Sequence, residues 1–236
     1  MKILSIECSA KSASCAVIDE STILCSDFTS SGLTHSQTLL PMVVKMLDGN
    51  NIPFSDIGAF AVSAGPGSFT GIRIGISAIK GMALPKNSPC IPVSTLESIA
   101  YNFLEEDALI CAVMDARCNQ VYSALFRTKN GKVTRLCEDR AVSVDFLKEE
   151  ILKSKVRCKI IVAGDGAQMF LPFVSKKKNV ILADENLRFQ NGVGVAKAAE
   201  KYFKKGIFKT AEQLLPIYLR LPQAERELKL KKENTK

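Results

Sequence analysis

The sequence is short of the residues that build several common kinds of functional site. It has no tryptophan and a single histidine, His35, among 236 residues. Its eight cysteines include no C-x-x-C pair, so a zinc site or a redox motif is not supported, because such sites need clustered ligands. No run reaches the ~18 apolar residues of a membrane span, and the first residues lack a signal-peptide pattern. We therefore expect a reduced, cytoplasmic protein that does not enter a membrane.

Positive charge is concentrated at the C-terminal end. The chain carries 32 Lys and Arg residues against 24 Asp and Glu residues, which gives a net charge of +8. Residues 197–236 hold 11 of the basic residues and 5 of the acidic ones. Such an end suits a nucleic acid or an acidic protein as partner, and it equally suits a solvated tail.

Alternation of apolar runs with small polar residues predicts a repeated α/β pattern. We expect, in order, strands at 2–9, 14–19 and 22–29, a helix at 36–47, a strand at 57–63, a helix at 70–84 and a strand at 90–93. Ser94 and Glu97 have the spacing of a capping box for a further helix. Three strands, a helix and a strand then recur between residues 109 and 163. The repeat predicts two related lobes, 1–105 and 106–220, with a basic tail at 221–236. A helix near 192–205 could pack on either lobe.

A glycine-rich loop at 64–69 joins a predicted strand to a predicted helix. A strand, a glycine turn and a helix N-terminus form a geometry that can hold an anion. The loop is not a Walker A motif, because no Gly-Lys-Ser/Thr follows it. The alternative is a tight turn in which Ser68 or Thr70 caps the helix.

The helix predicted at 70–84 is apolar on more than one face. One face can meet its own sheet, and Gly71, Gly75 and Ala78 leave a flat surface that another helix could approach closely. Either the second lobe covers this surface, or it is an interaction surface shared with the helix at 36–47. The candidate partner-facing residues are His35, Leu39, Met42, Met46, Gly71, Ile72, Gly75, Ile76, Ala78, Ile79 and Met82.

No catalytic centre stands out in the sequence. There is no Ser/His/Asp order, no paired-carboxylate spacing and no Cys/His dyad. His35 begins a predicted helix, where a lone histidine serves as a cap or an interface residue. Asp115 and Arg117 end a predicted strand and form either a structural ion pair or an acid–base pair. We therefore assign no catalytic, cofactor-binding or metal-binding residue.

Six segments, taken in order, resemble the TsaB (formerly YeaZ) family: ILSIECS, THSQTLLPMV, SAGPGSFTGIRIGISAIKGMA, PVSTLESIA, MDARCNQVY and PIYLR. That family is the bacterial partner subunit of the machinery that makes threonylcarbamoyladenosine in tRNA. The resemblance spans residues 1–220 and implies an actin-like, RNase H-like (ASKHA) fold of two duplicated lobes. It also implies a non-catalytic subunit that pairs with the catalytic subunit TsaD through helices of its first lobe. The ATPase TsaE joins that assembly, and tRNA binds to the complex.

Two departures bear on cofactors. Glu7-Cys8-Ser9 stands where nucleotide-binding relatives of this fold carry Asp-x-Gly-Thr, and the paired-histidine metal motif of the catalytic relatives is missing. We therefore expect no cofactor in this chain, with metal and nucleotide on the partner subunits. The alternative is a stand-alone peptidase-like or phosphotransferase enzyme of the same fold. A homodimer is a third possibility when TsaD is missing.

Overall fold

The first half of the chain forms a five-stranded mixed sheet. The computed structural model describes residues 1–30 and 34–220. The strands are β1 (Lys2–Glu7), β2 (Ala13–Asp19), β3 (Thr22–Thr29), β4 (Ile57–Gly65) and β5 (Cys90–Ser94), in the order β3-β2-β1-β4-β5. The first three strands pair antiparallel, and β4 and β5 add in parallel, as a meander followed by helical crossovers requires.

The second half repeats this topology. Its strands are β6 (Ala108–Asp115), β7 (Gln120–Lys129), β8 (Lys132–Arg135), β9 (Arg140–Ser143), β10 (Lys159–Ala163) and β11 (Val180–Leu182). The order β11-β10-β6-β7-β8 matches that of the first sheet, and β9 pairs additionally with β7. The duplication predicted from the sequence is therefore confirmed, whereas β9 and β11 are additional strands that the sequence pattern did not predict.

Seven α-helices flank the two sheets within the described residues: α1 (His35–Gly49), α2 (Phe69–Ala83), α3 (Thr95–Ala100), α4 (Val144–Lys153), α5 (Ala167–Val174), α6 (Glu185–Arg188) and α7 (Gly192–Lys204). Side chains of Ser68, Ser94, Ser143 and Asn191 accept backbone N–H bonds at the starts of α2, α3, α4 and α7. These caps explain where the four helices begin. No helix in the described part of the chain has the length and apolar character of a membrane span.

Helix α7 packs on the first sheet, although it follows the second sheet in the chain. Ser5 Oγ donates to the carbonyl of Gly192 at 2.7 Å, and Gly192 N donates to Ser14 Oγ at 3.0 Å. A Cβ on Gly192 would lie 2.7 Å from the carbonyl carbon of Cys15, so only glycine permits this approach. The question left open by the sequence is thus resolved in favour of the first lobe.

Glu97 connects the two lobes instead of completing a capping box. Ser94 Oγ caps α3 as expected, at 3.1 Å from Glu97 N. The Glu97 carboxylate, however, accepts from Arg135 of β8 at 2.9 Å and from the Tyr202 hydroxyl of α7 at 2.7 Å. Arg135 also pairs with Asp139 at 2.5 Å. The predicted reciprocal bond is therefore wrong, because the buried carboxylate has a cationic partner from the second lobe.

The segment after α7, residues 207–220, is here called the C-terminal strap. Lys209 exchanges two backbone hydrogen bonds of 2.8 Å with Cys90 of β5, and Leu214 is fully buried in the core cluster that also includes the inner faces of α1 and α2. Ile217 N then donates to the carbonyl of Ala64 at 2.7 Å. Arg220 reaches the second lobe, where it donates to the carbonyl of Ala116 at 2.5 Å. The predicted basic tail, 221–236, lies outside the described residues.

Candidate functional site: an apolar groove between two helices

An open groove of about 560 Å³ runs between the N-terminal halves of α1 and α2. Its lining is mostly apolar or small: His35, Ser36, Leu39, Leu40, Phe69, Thr70, Arg73, Ile74, Ser77 and Ala78. On α1, Leu40 is 47% exposed, and Val44, one turn further along the same side, is 56% exposed. Exposed apolar residues at i and i+4 form a stripe that a second helix can cover.

The structure places most of the predicted partner-facing residues in the core of this chain. On α1, Leu39, Met42 and Met46 are buried, and on α2 so are Gly71, Ile72, Gly75, Ile76 and Ile79. Only His35, Leu39 and Ala78 of the predicted set line the groove, while Met82 is half-buried near the end of α2. The remaining members pack against the sheet of their own chain, and their predicted place at a partner surface stays a prediction.

Gly71 and Gly75 serve a contact inside the chain. A Cβ on Gly75 would lie 2.7 Å from Cys8 Sγ and 3.1 Å from Val62 Cγ2, and a Cβ on Gly71 would strike the carbonyl oxygen of Cys8. The two glycines therefore let α2 lie close to the end of β1. The small residues on the outer side of α2 are Ser77, Ala78 and Gly81, and a Cβ on Gly81 would meet nothing within 4 Å.

In the described part of the chain, the helices and strands of the second lobe do not cover the outer side of α2, although Tyr218 of the C-terminal strap reaches Arg73 there. Helix α2 packs against β1, β4, β5 and α1, all of the first lobe. Ile74 and Ala78 are half-buried, and Leu84, just beyond the helix, is 71% exposed. The sequence of α2 already separates its buried face from its outer face. Ile72, Ile76 and Ile79 recur at helical spacing on one face, and Ile74 lies off that stripe.

His35 fixes one end of the groove. Its Nε2 lies 2.7 Å from the carbonyl oxygen of Ala10, in the loop that follows β1. The side chain is half-buried, and its ring also borders Gly71. A histidine held in this way is a structural contact of the groove wall, as expected for a lone histidine without companion ligands.

The glycine-rich loop is a tight turn that uses its own amides. Ser68 is the N-cap of α2 and accepts from Gly71 N at 3.2 Å, so the alternative cap Thr70 is excluded. Ser68 N donates to the carbonyl of Ser9 at 2.6 Å. Two of the amides that could hold an anion at this helix start, those of Ser68 and Gly71, are thus engaged within the chain.

A second cavity, of about 500 Å³, lies between the lobes and is lined by both polar and apolar residues. Behind its Ser9 wall, Glu7 is completely buried, and Ser9 donates to Glu7 Oε1 through both its amide, at 2.9 Å, and its hydroxyl. Within the described residues, Glu7 Oε2 has no hydrogen-bond partner. Burial, reinforced by the charge of Asp165, raises the pKa of Glu7 to about 7, even though the Ser9 bonds oppose this shift.

The remaining acidic residues that line the cleft are Asp115 and Asp165. Asp115 Oδ1 accepts from the backbone amide of Arg117 at 2.7 Å, and no ion pair joins these two side chains in the structure. The expected ion pair is therefore wrong: Asp115 closes a local turn. Surrounding protein, together with Asp115, raises the pKa of Asp165 to about 6. Among residues 1–30 and 34–220, no three His, Cys, Asp or Glu side chains cluster as metal ligands.

Comparison with known proteins identifies the family. A protein-family profile described as "TsaD: tRNA N6-adenosine threonylcarbamoyltransferase" matches residues 29–228. The "tRNA threonylcarbamoyladenosine biosynthesis protein TsaB" of Bacillus subtilis (strain 168) is 32% identical over 230 residues, which cover 95% of this chain and 96% of that protein. The chain belongs to the TsaB family.

Solved structures agree with membership of the TsaB family. YeaZ from Pseudomonas aeruginosa superposes with a TM-score of 0.76 at 25% identity, and the match covers 92% of this chain and 99% of that one. The (R)-2-hydroxyglutaryl-CoA dehydratase component A of Acidaminococcus fermentans superposes with a TM-score of 0.52 at 11% identity, and the match covers 87% of this chain and 98% of that one. The latter likeness concerns the fold alone. The predicted actin-like, two-lobed α/β fold is confirmed.

Proposed function

We propose that this chain is a non-catalytic subunit of the machinery that makes threonylcarbamoyladenosine in tRNA, and that it binds and stabilises the catalytic subunit TsaD. Membership of the TsaB family supports the biosynthetic role, since the Bacillus subtilis relative bears that description. The observation that carries the partner role is the open apolar groove between α1 and α2. In the proposed complex, the metal and the nucleotide belong to the partner subunits.

The groove offers enough apolar surface for a stable contact. Leu40 and Val44 are about half exposed, and Ile74 is half-buried beside them. Fully burying side chains of this size contributes about 1.5–3 kcal/mol each, so their remaining exposed area contributes about half of that. A few such contacts from each partner offset the cost of association, and the small side chains of Ser77 and Ala78 permit close helix approach.

The cleft between the lobes supports a non-catalytic role. The amide of Ser68 is used by the carbonyl of Ser9, and the carboxylate of Glu7 is held behind Ser9 with no exposed surface. A phosphotransferase would need free amides for phosphate, and a metallopeptidase would need clustered ligands. We infer that TsaD performs the transfer, while this chain completes a platform for TsaE and tRNA.

The test of the proposal is a matched pair of charge substitutions. Leu40→Glu places a carboxylate in the groove, whereas Met169→Glu places one on α5 of the other lobe, at a residue that is 42% exposed. Both variants should melt close to the unchanged protein, because both side chains are solvent-accessible. Light scattering after size exclusion should show a complex with TsaD for the unchanged chain and for Met169→Glu, and none for Leu40→Glu. Complex-dependent tRNA modification should follow the same order.

Two results would contradict the proposal. If the chain and TsaD elute separately, the groove does not bind TsaD. A homodimer formed across the same groove would instead appear as a doubled mass for the unchanged chain and as a single mass for Leu40→Glu. If folded Leu40→Glu binds TsaD as well as Met169→Glu does, the contact lies elsewhere. Modification of tRNA or hydrolysis of a peptide by this chain alone would favour the stand-alone enzyme.

A further inference from the structure

Among the described residues that line the groove, Arg73 is the one charged side chain apart from the titratable ring of His35. It projects from the outer side of α2 and is exposed. No acidic side chain belongs to the lining that residues 1–30 and 34–220 form. The groove therefore combines an apolar floor with a single positive end, and this pattern of charge selects what can lie there.

The guanidinium of Arg73 is held in place by two aromatic rings. Its central carbon lies 3.9 Å from the centroid of the Phe69 ring, in cation–π contact. Its Nε donates to the hydroxyl of Tyr218 at 2.9 Å, and the Tyr218 ring stacks on Phe69 with centroids 4.5 Å apart. The terminal nitrogens of Arg73 have no acceptor within the described residues.

Tyr218 is itself fixed by the C-terminal strap. The backbone amide of Ile217, immediately before Tyr218, donates to the carbonyl of Ala64 at 2.7 Å. The side chain of Arg220, two residues after Tyr218, donates to the carbonyl of Ala116. Gly65, with φ +129°, leaves room for the carbonyl of Ile217, which would overlap any Cβ at this position. The strap is therefore bonded to the rest of the chain both before and after Tyr218, and these bonds hold the Tyr218 hydroxyl at one end of the groove.

We propose that Arg73 is the polar specificity contact of the groove and receives a carboxylate of the docked partner helix, and that Tyr218 is its positioning residue. A guanidinium whose Nε is already bonded presents its terminal N–H groups as a planar fork, which matches the two oxygens of a carboxylate. Because the side chain is ordered before binding, less conformational entropy is lost on docking. This inference rests on the proposed binding of TsaD and names the chemistry of that contact.

The experiment is calorimetric titration of TsaD into the full-length chain and its variants. Arg73→Gln and Arg73→Lys should each weaken binding about tenfold, since lysine keeps the charge and loses the fork. The affinity of the unchanged chain should fall as salt is raised, and Arg73→Gln should flatten that dependence. Tyr218→Phe keeps the stacked ring and removes the acceptor of the Nε bond, so it should weaken binding about threefold.

Two controls separate positioning from folding. Phe208→Ala removes another exposed aromatic of the same strap, one that stacks on Phe203 at 5.5 Å and lies outside the groove lining, and it should bind TsaD normally. Tyr218→Phe combined with Arg73→Gln should bind no more weakly than Arg73→Gln alone, because Tyr218 acts through Arg73.

The outcomes are distinguishable from those of the proposed function. If the unchanged chain fails to bind TsaD, both proposals fall. If it binds and folded Arg73→Gln binds equally well with an unchanged salt dependence, the carboxylate contact is refuted while the partner role stands. If the losses from Arg73→Gln and Tyr218→Phe add fully, Tyr218 is not the positioning residue.

Discussion

Replacing Glu7 by glutamine should stabilise the protein at alkaline pH. The Glu7 carboxyl is completely buried, and its pKa is raised from 4.5 to about 7, mainly by burial and further by the charge of Asp165. Glutamine keeps the oxygen that accepts from Ser9. Its amide nitrogen would take the place of Oε2 and could donate to the Ser63 hydroxyl, which is buried without a partner in the described structure.

The sign and size of the effect follow from proton linkage. Below pH 4.5 the Glu7 carboxyl is protonated in both the folded and the unfolded chain, so its ionisation does not lower the free energy of unfolding. Between pH 4.5 and about 7 the unfolded chain releases the proton while the folded chain keeps it, so stability falls as pH rises. Each pKa unit is worth 1.36 kcal/mol, so the loss reaches about 3 kcal/mol above pH 7. Glutamine has no such loss.

The assay is urea unfolding followed by circular dichroism between pH 5 and pH 8. The free energy of unfolding of the unchanged protein should fall over this range, and that of Glu7→Gln should fall less. At pH 8 the free energy of unfolding of Glu7→Gln should be higher by up to about 3 kcal/mol. Glu149→Gln, which removes an exposed carboxylate beside Lys153, should leave the pH profile as it is. Equal pH profiles for the unchanged protein and Glu7→Gln, or a less stable Glu7→Gln at pH 8, would refute the reasoning.

Further outcomes are expected. Gly75→Ala should lower the free energy of unfolding by about 1–3 kcal/mol because its Cβ meets Cys8 Sγ at 2.7 Å, whereas Gly81→Ala, in open space, should raise it by up to about 1 kcal/mol; urea unfolding measures both. Calorimetry should detect weak or no ATP binding by the isolated chain, and micromolar affinity would overturn this. Asp115→Ala should leave complex-dependent tRNA modification unchanged. Deleting 223–236, outside the described residues, should reduce the salt dependence of tRNA binding by the complex, and an unchanged slope would make this run a solvated tail.

Local signals in the sequence were sufficient to predict the repeat and the helix starts. Ser68 and Ser94 lie immediately before helical periodicity, and their side chains cap α2 and α3. The positions of the strands along the chain followed from apolar runs and turns, which depend on near neighbours in the chain. These features need no knowledge of what packs against them.

Features that depend on distant contacts could not be predicted in this way. Glu97 lies 38 residues from Arg135 and 105 from Tyr202, and only these partners turn a candidate cap residue into a link between lobes. The strap has no period, so nothing local indicated that Tyr218 would meet Arg73. The sequence shows the glycines of α2 but not which of them faces the core. In the structure Gly75 faces Cys8, while Gly81 faces open space.

The links between the lobes bear on what kind of protein this fold can be. An enzyme that closes over its substrate needs lobes that move. Here the Glu97 side chain, only 7% exposed, is bonded to Arg135 of the other lobe, whose side chain is 24% exposed. The strap adds a second connection through Arg220. The two links join the lobes at separate places, as the proposed role of a subunit with one constant surface requires.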